Sequence, residues 1–231
     1  MKPLEKRILE ISAKYKLSHL GSCLSAVPMI DTIYKIKDKE ENFILSCGHA
    51  GLALYVVIEK YDIIADAEMA LQKMGIHPDR PTDPWGKIDC STGSLGMGIG
   101  IAVGMAIGNR KKNVYCLISD GETTEGSIWE ALRIASEQQL DNLKIVLNYN
   151  GYGAYSEIKL EPLIMRFQAF GCGVIKIDEE VDLESALEAQ IPKIPIVRIV
   201  EANLVEFPFL QGLDAHYKTI SKEEYDSINQ K

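Results

Sequence analysis

The chain has 231 residues, 46% hydrophobic and 25% charged, enough length and apolar content for one large domain with a closed core. Its formal net charge is −8 and it carries no block of basic residues, which excludes an extended phosphate-binding surface of the nucleic-acid type. No run approaches the roughly 18 apolar residues of a membrane-spanning helix. The start, MKPLEKRILEISAKYK, is charged and amphipathic rather than a signal or transit peptide, so a cytoplasmic location is expected.

Leu4, Ile8, Ile11 and Tyr15 recur at helical spacing, and Val27, Ile30, Ile33 and Tyr34 do so again after an expected turn at Gly21-Ser22. Further helices are expected over 50–60 and 63–74. HPDRPTDPWGK (77–87), with its prolines, reads as a long loop of the kind that carries function. MGIGIAVGMAIG (97–108) is expected to be a helix closely packed on all sides.

From residue 113 the pattern changes. NVYCLIS (113–119), LKIVLN (143–148), GVIKI (173–177) and PIVRIVEA (195–202) are β-rich, and helical stretches at 125–139, 162–170 and 181–189 separate them. Strands apolar on both faces, alternating with helices, predict a parallel α/β sheet flanked by helices. No repeat or linker interrupts the chain, so one domain, 1–231, is expected. The cysteines at 23, 47, 90, 116 and 172 are scattered and form no CxxC pair, which predicts reduced thiols rather than a disulfide frame or zinc site.

Two strand ends invite comparison: ISDGETTEG (118–126) and LNYNGYG (147–153). Right-handed βαβ crossovers put consecutive strand ends on one sheet edge, where open α/β sheets bind ligands. If these strands are neighbours, Asp120 and Asn150 share that edge. Glycines at 121, 126, 151 and 153 allow close backbone approach, and the helix starting near Glu125 points its N-terminus the same way. A hard cation with a diphosphate fits such oxygens. Ordinary turn chemistry at Asp-Gly and Asn-Gly is the competing reading.

S-D-G-x₃-E-G, DNL and then N-G resemble the thiamine diphosphate motif of transketolases. HLGSCLSAV (19–27), SCGHAGLALY (46–55), STGSLGMGIGIAVGMA (91–106), EGSIWEAL (125–132) and DNLKIVLNYNG (141–151) resemble that family's landmarks in order, as does VEFPFLQGLDAHYKTISKEEYD near the end. The match extends over nearly the whole chain but corresponds only to the diphosphate-binding domain. The resemblance therefore implies the N-terminal subunit of a split transketolase. Its partner would be a separate pyrimidine-domain chain, paired as α2β2.

The resemblance also implies roles. Asp120, the Asn150 side chain and the Tyr152 carbonyl would bind Mg²⁺ (or Ca²⁺ or Mn²⁺), with diphosphate and water completing the shell. Gly121 and Glu122 would lie in the cofactor site, and Gly93, Ser94 and Leu95 beside the cofactor rings. Glu125 and Glu130 match acidic positions of a proton network near the subunit contact. The chain's four histidines, His19, His49, His77 and His216, all fall in segments resembling active-site histidines, with His49 and His216 also near the cofactor. Ketol transfer from a sugar or sugar phosphate needs such proton donors and acceptors. Ser119, Cys47, Ser18 and Met97 depart from the usual pattern. Two other readings stay open: another thiamine enzyme (a 2-oxo acid decarboxylase or a deoxyxylulose phosphate synthase-like enzyme), or a non-catalytic assembly partner.

Overall fold

In the computed structural model, which describes residues 1–153, 156–178, 182–202, 207–210 and 217–229, five parallel strands form one sheet. They are β1 (Asn42–Leu45), β2 (Val114–Ser119), β3 (Leu143–Tyr149), β4 (Gly173–Ile177) and β5 (Ile196–Glu201), in the order β1-β2-β3-β5-β4. β2 is buried along its whole length and β3 up to its last residue. Layers on both faces explain why these two strands are buried and mostly apolar along both sides.

Successive side chains leave the sheet on opposite sides. Tyr115, Leu117 and Val146 join a core with α1 (Pro3–Tyr15), α2 (Leu20–Ile36), α3 (Gly51–Lys60) and α8 (Leu183–Glu188). Cys116, Ile118, Ile145 and Leu147 join the opposite core, with α5 (Met97–Gly108), α6 (Gly126–Glu137) and α7 (Leu160–Ala169). Two further helices, α4 (Ala67–Met74) and α9 (Lys222–Asn229), pack against α3 and α1 respectively. All five cysteines are free, and among the described residues no helix is long and apolar enough to cross a membrane.

Four features differ from expectation. The turn does not fall at Gly21-Ser22, because α2 already begins at Leu20; the reversal is made by His19, in the left-handed region with φ 61°. Burial of Leu20, Cys23 and Leu24 outweighs the turn preference of Gly-Ser. α4 starts at Ala67, four residues into the expected helix, where the Asp66 carboxylate caps the Met69 N–H at 2.7 Å. β1 was not anticipated: four residues are too few to show a period, and pairing with β2 defines the strand. Its outer edge is closed by Asp89, which accepts from Asn42 Nδ2 at 3.0 Å and the Phe43 N–H at 2.8 Å. Finally, α5 buries only Gly98, Ile99, Ala102, Val103 and Ala106, leaving Met97, Gly100, Ile101, Gly104 and Ile107 exposed on this chain.

Among the described residues two cations lie inside. The Arg198 guanidinium caps the end of α8, donating to the carbonyls of Ala186 at 2.6 Å and Ala189 at 2.8 Å. Lys144 on β3 is 2% exposed, and burial pushes its ammonium down to about 8, helped by the nearby positive charge of Arg198.

Candidate functional site

β2 and β3 are neighbours in register, with Ser119 opposite Asn148, so their carboxyl ends lie level. Asp120 continues from that edge and is 1% exposed. One carboxylate oxygen accepts the N–H groups of Asn150 at 2.9 Å and Gly151 at 2.7 Å, and the other accepts that of Gly121 at 2.9 Å. Gly151 makes this approach with φ 83°, a conformation that favours glycine. The Asn150 Oδ1 accepts the Tyr152 N–H at 2.8 Å. The Tyr152 carbonyl faces the same turn, 3.9 Å from where a Cβ on Gly121 would stand.

These groups fit a hard divalent cation. Burial raises the Asp120 carboxyl to about 6, against the pull of the backbone donors. Among the described residues no cationic side chain pairs with it. A buried carboxylate lacking a counter-charge, beside an amide oxygen and a main-chain carbonyl, is an all-oxygen donor set of the type Mg²⁺ takes.

The turn after Asp120 (Gly121–Thr124) is tied down from several sides. Thr123 Oγ1 donates to the Asp120 carbonyl at 2.6 Å, and the Trp129 indole N–H of α6 donates to the Thr123 carbonyl at 2.9 Å. Glu122 turns inward and is fully buried, so burial pushes its carboxyl up. Its acceptor oxygens meet Ser46, Gly96 and Ser119. Glu125 precedes α6 and is exposed, next to Gly96 at the start of α5. Glu130 lies further along α6, paired with Arg133 at 2.6 Å on the outer surface.

A second wall is made of histidines and glycines. The rings of His19 and His49 have centroids 5.1 Å apart, and Tyr217 meets His19 edge-on at 5.2 Å. His49 sits in a one-turn helix, Gly48–Ala50, between β1 and α3. Gly48 lies directly against the backbone of Thr92 and Gly93, where a Cβ would stand 2.7 Å from Gly93 N. Gly93, at φ +148°, in turn faces the His77 ring, and its Cβ would stand 3.0 Å from His77 Cγ. His77 thus joins His49 through the contact of two glycine-bearing loops. Ser94 is exposed and Leu95 half-buried in the turn that leads into α5. His216 lies outside the described residues.

Ser46 and the Gly96 N–H are not visible in the sequence, because nothing local marks a donor whose acceptor is 76 or 26 residues away. Arg80 is exposed and donates to the Asp89 carbonyl at 2.8 Å, bracing its own loop.

A doubly layered parallel sheet with a carboxylate–amide pair and a glycine–histidine wall at its carboxyl edge has the layout of the open α/β sheets that bind ligands at that edge. Comparison with known proteins identifies the class: residues 6–194 match the family model described as transketolase, thiamine diphosphate binding domain. The chain belongs to the transketolase family, as its thiamine diphosphate-binding domain. It is 36% identical to human transketolase over 181 residues, which is 69% of this chain and 29% of that protein. It is also 36% identical to the human transketolase-like protein 2, over 90% of this chain and 38% of that one. The chain thus spans well under half the length of these relatives. Against an apulose-4-phosphate transketolase subunit of Phocaeicola vulgatus, 34% identity covers 77% of this chain and 71% of that one. Among solved structures, transketolase from Campylobacter jejuni superposes with TM-score 0.79 at 25% identity, covering 98% of this chain and 42% of that one. Transketolase from Leishmania mexicana shares the fold with TM-score 0.83 at 23% identity, over all of this chain and 41% of that one.

Proposed function

We propose that this chain is the thiamine diphosphate- and Mg²⁺-binding subunit of a two-chain transketolase-type enzyme. The enzyme moves a two-carbon ketol unit from a ketose or its phosphate to an aldose. The observation that carries this reading is the level ending of β2 and β3, with the buried Asp120 hydrogen-bonded to the turn that bears the Asn150 side chain and the Tyr152 carbonyl. Family membership supports the cofactor. The similarity to the apulose-4-phosphate transketolase subunit, over most of both chains, supports a separate partner chain.

Asp120, Asn150 Oδ1 and the Tyr152 carbonyl would hold the metal, leaving positions for diphosphate and water oxygens. The start of α6 would offer backbone N–H groups to the diphosphate side, while the Gly121 N–H, already bonded to Asp120 at 2.9 Å, would hold that carboxylate in place beside it. Gly93, Ser94 and Leu95 would bound the ring side, where glycine at 93 lets the backbone approach. When bound, thiamine diphosphate supplies the carbanion and the electron sink for breaking and making the carbon–carbon bond. His19, His49, His77 and His216 would hold and exchange protons at the sugar carbonyl and hydroxyl oxygens. Glu125 and Glu130 would face the subunit contact, in an α2β2 assembly with its sites between unlike chains.

The test is ketol transfer with Mg²⁺, thiamine diphosphate and a panel of ketose donors and aldose acceptors, with and without a candidate pyrimidine-domain chain. Activity is expected only with both chains. Transfer by this chain alone overturns the two-chain reading; decarboxylation of a 2-oxo acid in place of transfer overturns the reaction assignment.

A further inference from the structure

Three segments of the proposed site have no covalent reason to keep their spacing. Ser46 leads from β1 into Gly48-His49, Gly96 follows Gly93-Ser94-Leu95, and Ser119 precedes Asp120. One carboxylate joins them. Glu122 Oε1 accepts the Ser46 hydroxyl at 2.7 Å and the Gly96 N–H at 2.9 Å, and Oε2 accepts the Ser119 N–H at 3.0 Å. Glu122 and Ser46 are both 0% exposed. Packing leaves little room for another solution, since a Cβ on Gly98 would stand 2.6 Å from Ser46 Cα and one on Gly96 2.9 Å from Glu125 Cβ.

We infer that Glu122 is a positioning residue, whose buried carboxylate sets the distance between the Asp120 turn, the Gly93–Leu95 loop and the His49 turn. The inference rests on the proposed cofactor site and deepens it. Donors on three sides explain why a carboxylate is needed. An amide at this position keeps one acceptor oxygen but turns its NH₂ toward an N–H, so at least one donor is left unpaired in the interior. Trp129 reports on the same turn, because its indole holds the carbonyl of Thr123, the residue after Glu122.

The experiment is Glu122→Gln, read by residue-resolved amide exchange on the cofactor-free chain. Exchange at Gly96 and Ser119 is expected to rise about tenfold or more. The amides of Gly121, Asn150 and Gly151, which bond to Asp120, should follow, while Ile145 and Val146 stay within about twofold of wild type. In a Trp85→Phe background the Trp129 emission should shift. In the active two-chain enzyme the variant should need about tenfold more thiamine diphosphate for half-maximal rate, with the saturated rate within about threefold. Unchanged exchange at Gly96 and Ser119, or faster exchange spread evenly through the sheet, overturns the inference. Should Glu122→Gln not fold, Ser46→Ala removes one donor and is read by the same map, with loosening at Gly96 expected and its absence decisive against. If the wild-type pair shows no ketol transfer, the functional reading falls, while the exchange map still decides the role of Glu122.

Discussion

Gly48→Ala adds one methyl group where two loops of the site touch. The new Cβ would stand 2.7 Å from Gly93 N and Thr92 C and 2.8 Å from Thr92 Oγ1, against an ordinary contact of 3.4 Å or more. Two of these atoms belong to backbone, so no side chain can rotate away. The loops must part by roughly 0.7 Å, in a region where overpacking costs about 1–3 kcal/mol. A loss near 2 kcal/mol lowers the melting temperature of a chain of this size by about 4–8 °C. The control is Gly100→Ala, the same chemical change on the exposed side of α5, where a Cβ meets nothing within 4 Å. There the loss of glycine's chain entropy should stabilise the isolated chain by about 0.5–1 kcal/mol. Urea unfolding of both variants followed by circular dichroism gives the comparison, with thiamine diphosphate titration of the two-chain complex as a second reading for Gly48→Ala. Its affinity should fall, because the same displacement moves His49 and Gly93. A Gly48→Ala chain as stable as wild type, with unchanged affinity, would refute the claim that this contact is closed.

Asp120→Ala and Asn150→Ala should each abolish Mg²⁺-dependent thiamine diphosphate binding by the two-chain complex while the chain stays folded; calorimetry showing wild-type affinity would remove both residues from the metal site. His49→Ala should cut turnover by about 10²–10⁴ with little effect on the unfolding midpoint, which steady-state rates and melting curves measure together. Lys144→Met should stabilise the chain by about 1–3 kcal/mol near pH 7, since each unit of depression is worth about 1.4 kcal/mol against the buried ammonium. The sign follows from a folded value near 8 below the ordinary 10.5: the penalty is full below 8 and vanishes as pH rises toward 10.5. The gain over wild type should therefore shrink near pH 10, and an equal gain at both pH values would show that charge is not the cause.

The four later strands were legible because each is a β-branched, largely apolar run closed by polar residues, and in β2 and β3 burial on both faces leaves no alternation to confuse the reading. β1 was not, since NFIL has no period and becomes a strand only by pairing with residues far along the chain. The start of α2 misled for a related reason: Gly21-Ser22 looks like a turn locally, but the helix is held by the burial of Leu20 and Leu24. In the site, Asp120 and Asn150 could be paired from strand logic alone, whereas the approach of His19, His49 and His77 depends on loop packing that no spacing encodes. The Glu122 contacts were invisible, because two of its three donors are main-chain N–H groups that any residue could supply. The half-bare α5 was misread because its composition is apolar all round, and only packing separates Ile99 from Ile101.

The pairing of β1 with β2 bears on how the protein is made. Asn42 finds its partner at Val114, so a ribosome working at about 5–20 residues per second needs roughly 4–14 s to bridge the interval. During that time α1, α2 and α3 have emerged without a sheet to rest on, and in α3 every residue from Gly51 to Ile58 is destined for the interior. Among the described residues, no two adjacent strands are joined by a hairpin that could form early and shelter them. The nascent chain thus passes through a stage of exposed apolar helices whose length is set by translation speed between codons 42 and 114. Synonymous codons that slow this stretch should lower the yield of folded chain, and those that hasten it should raise it.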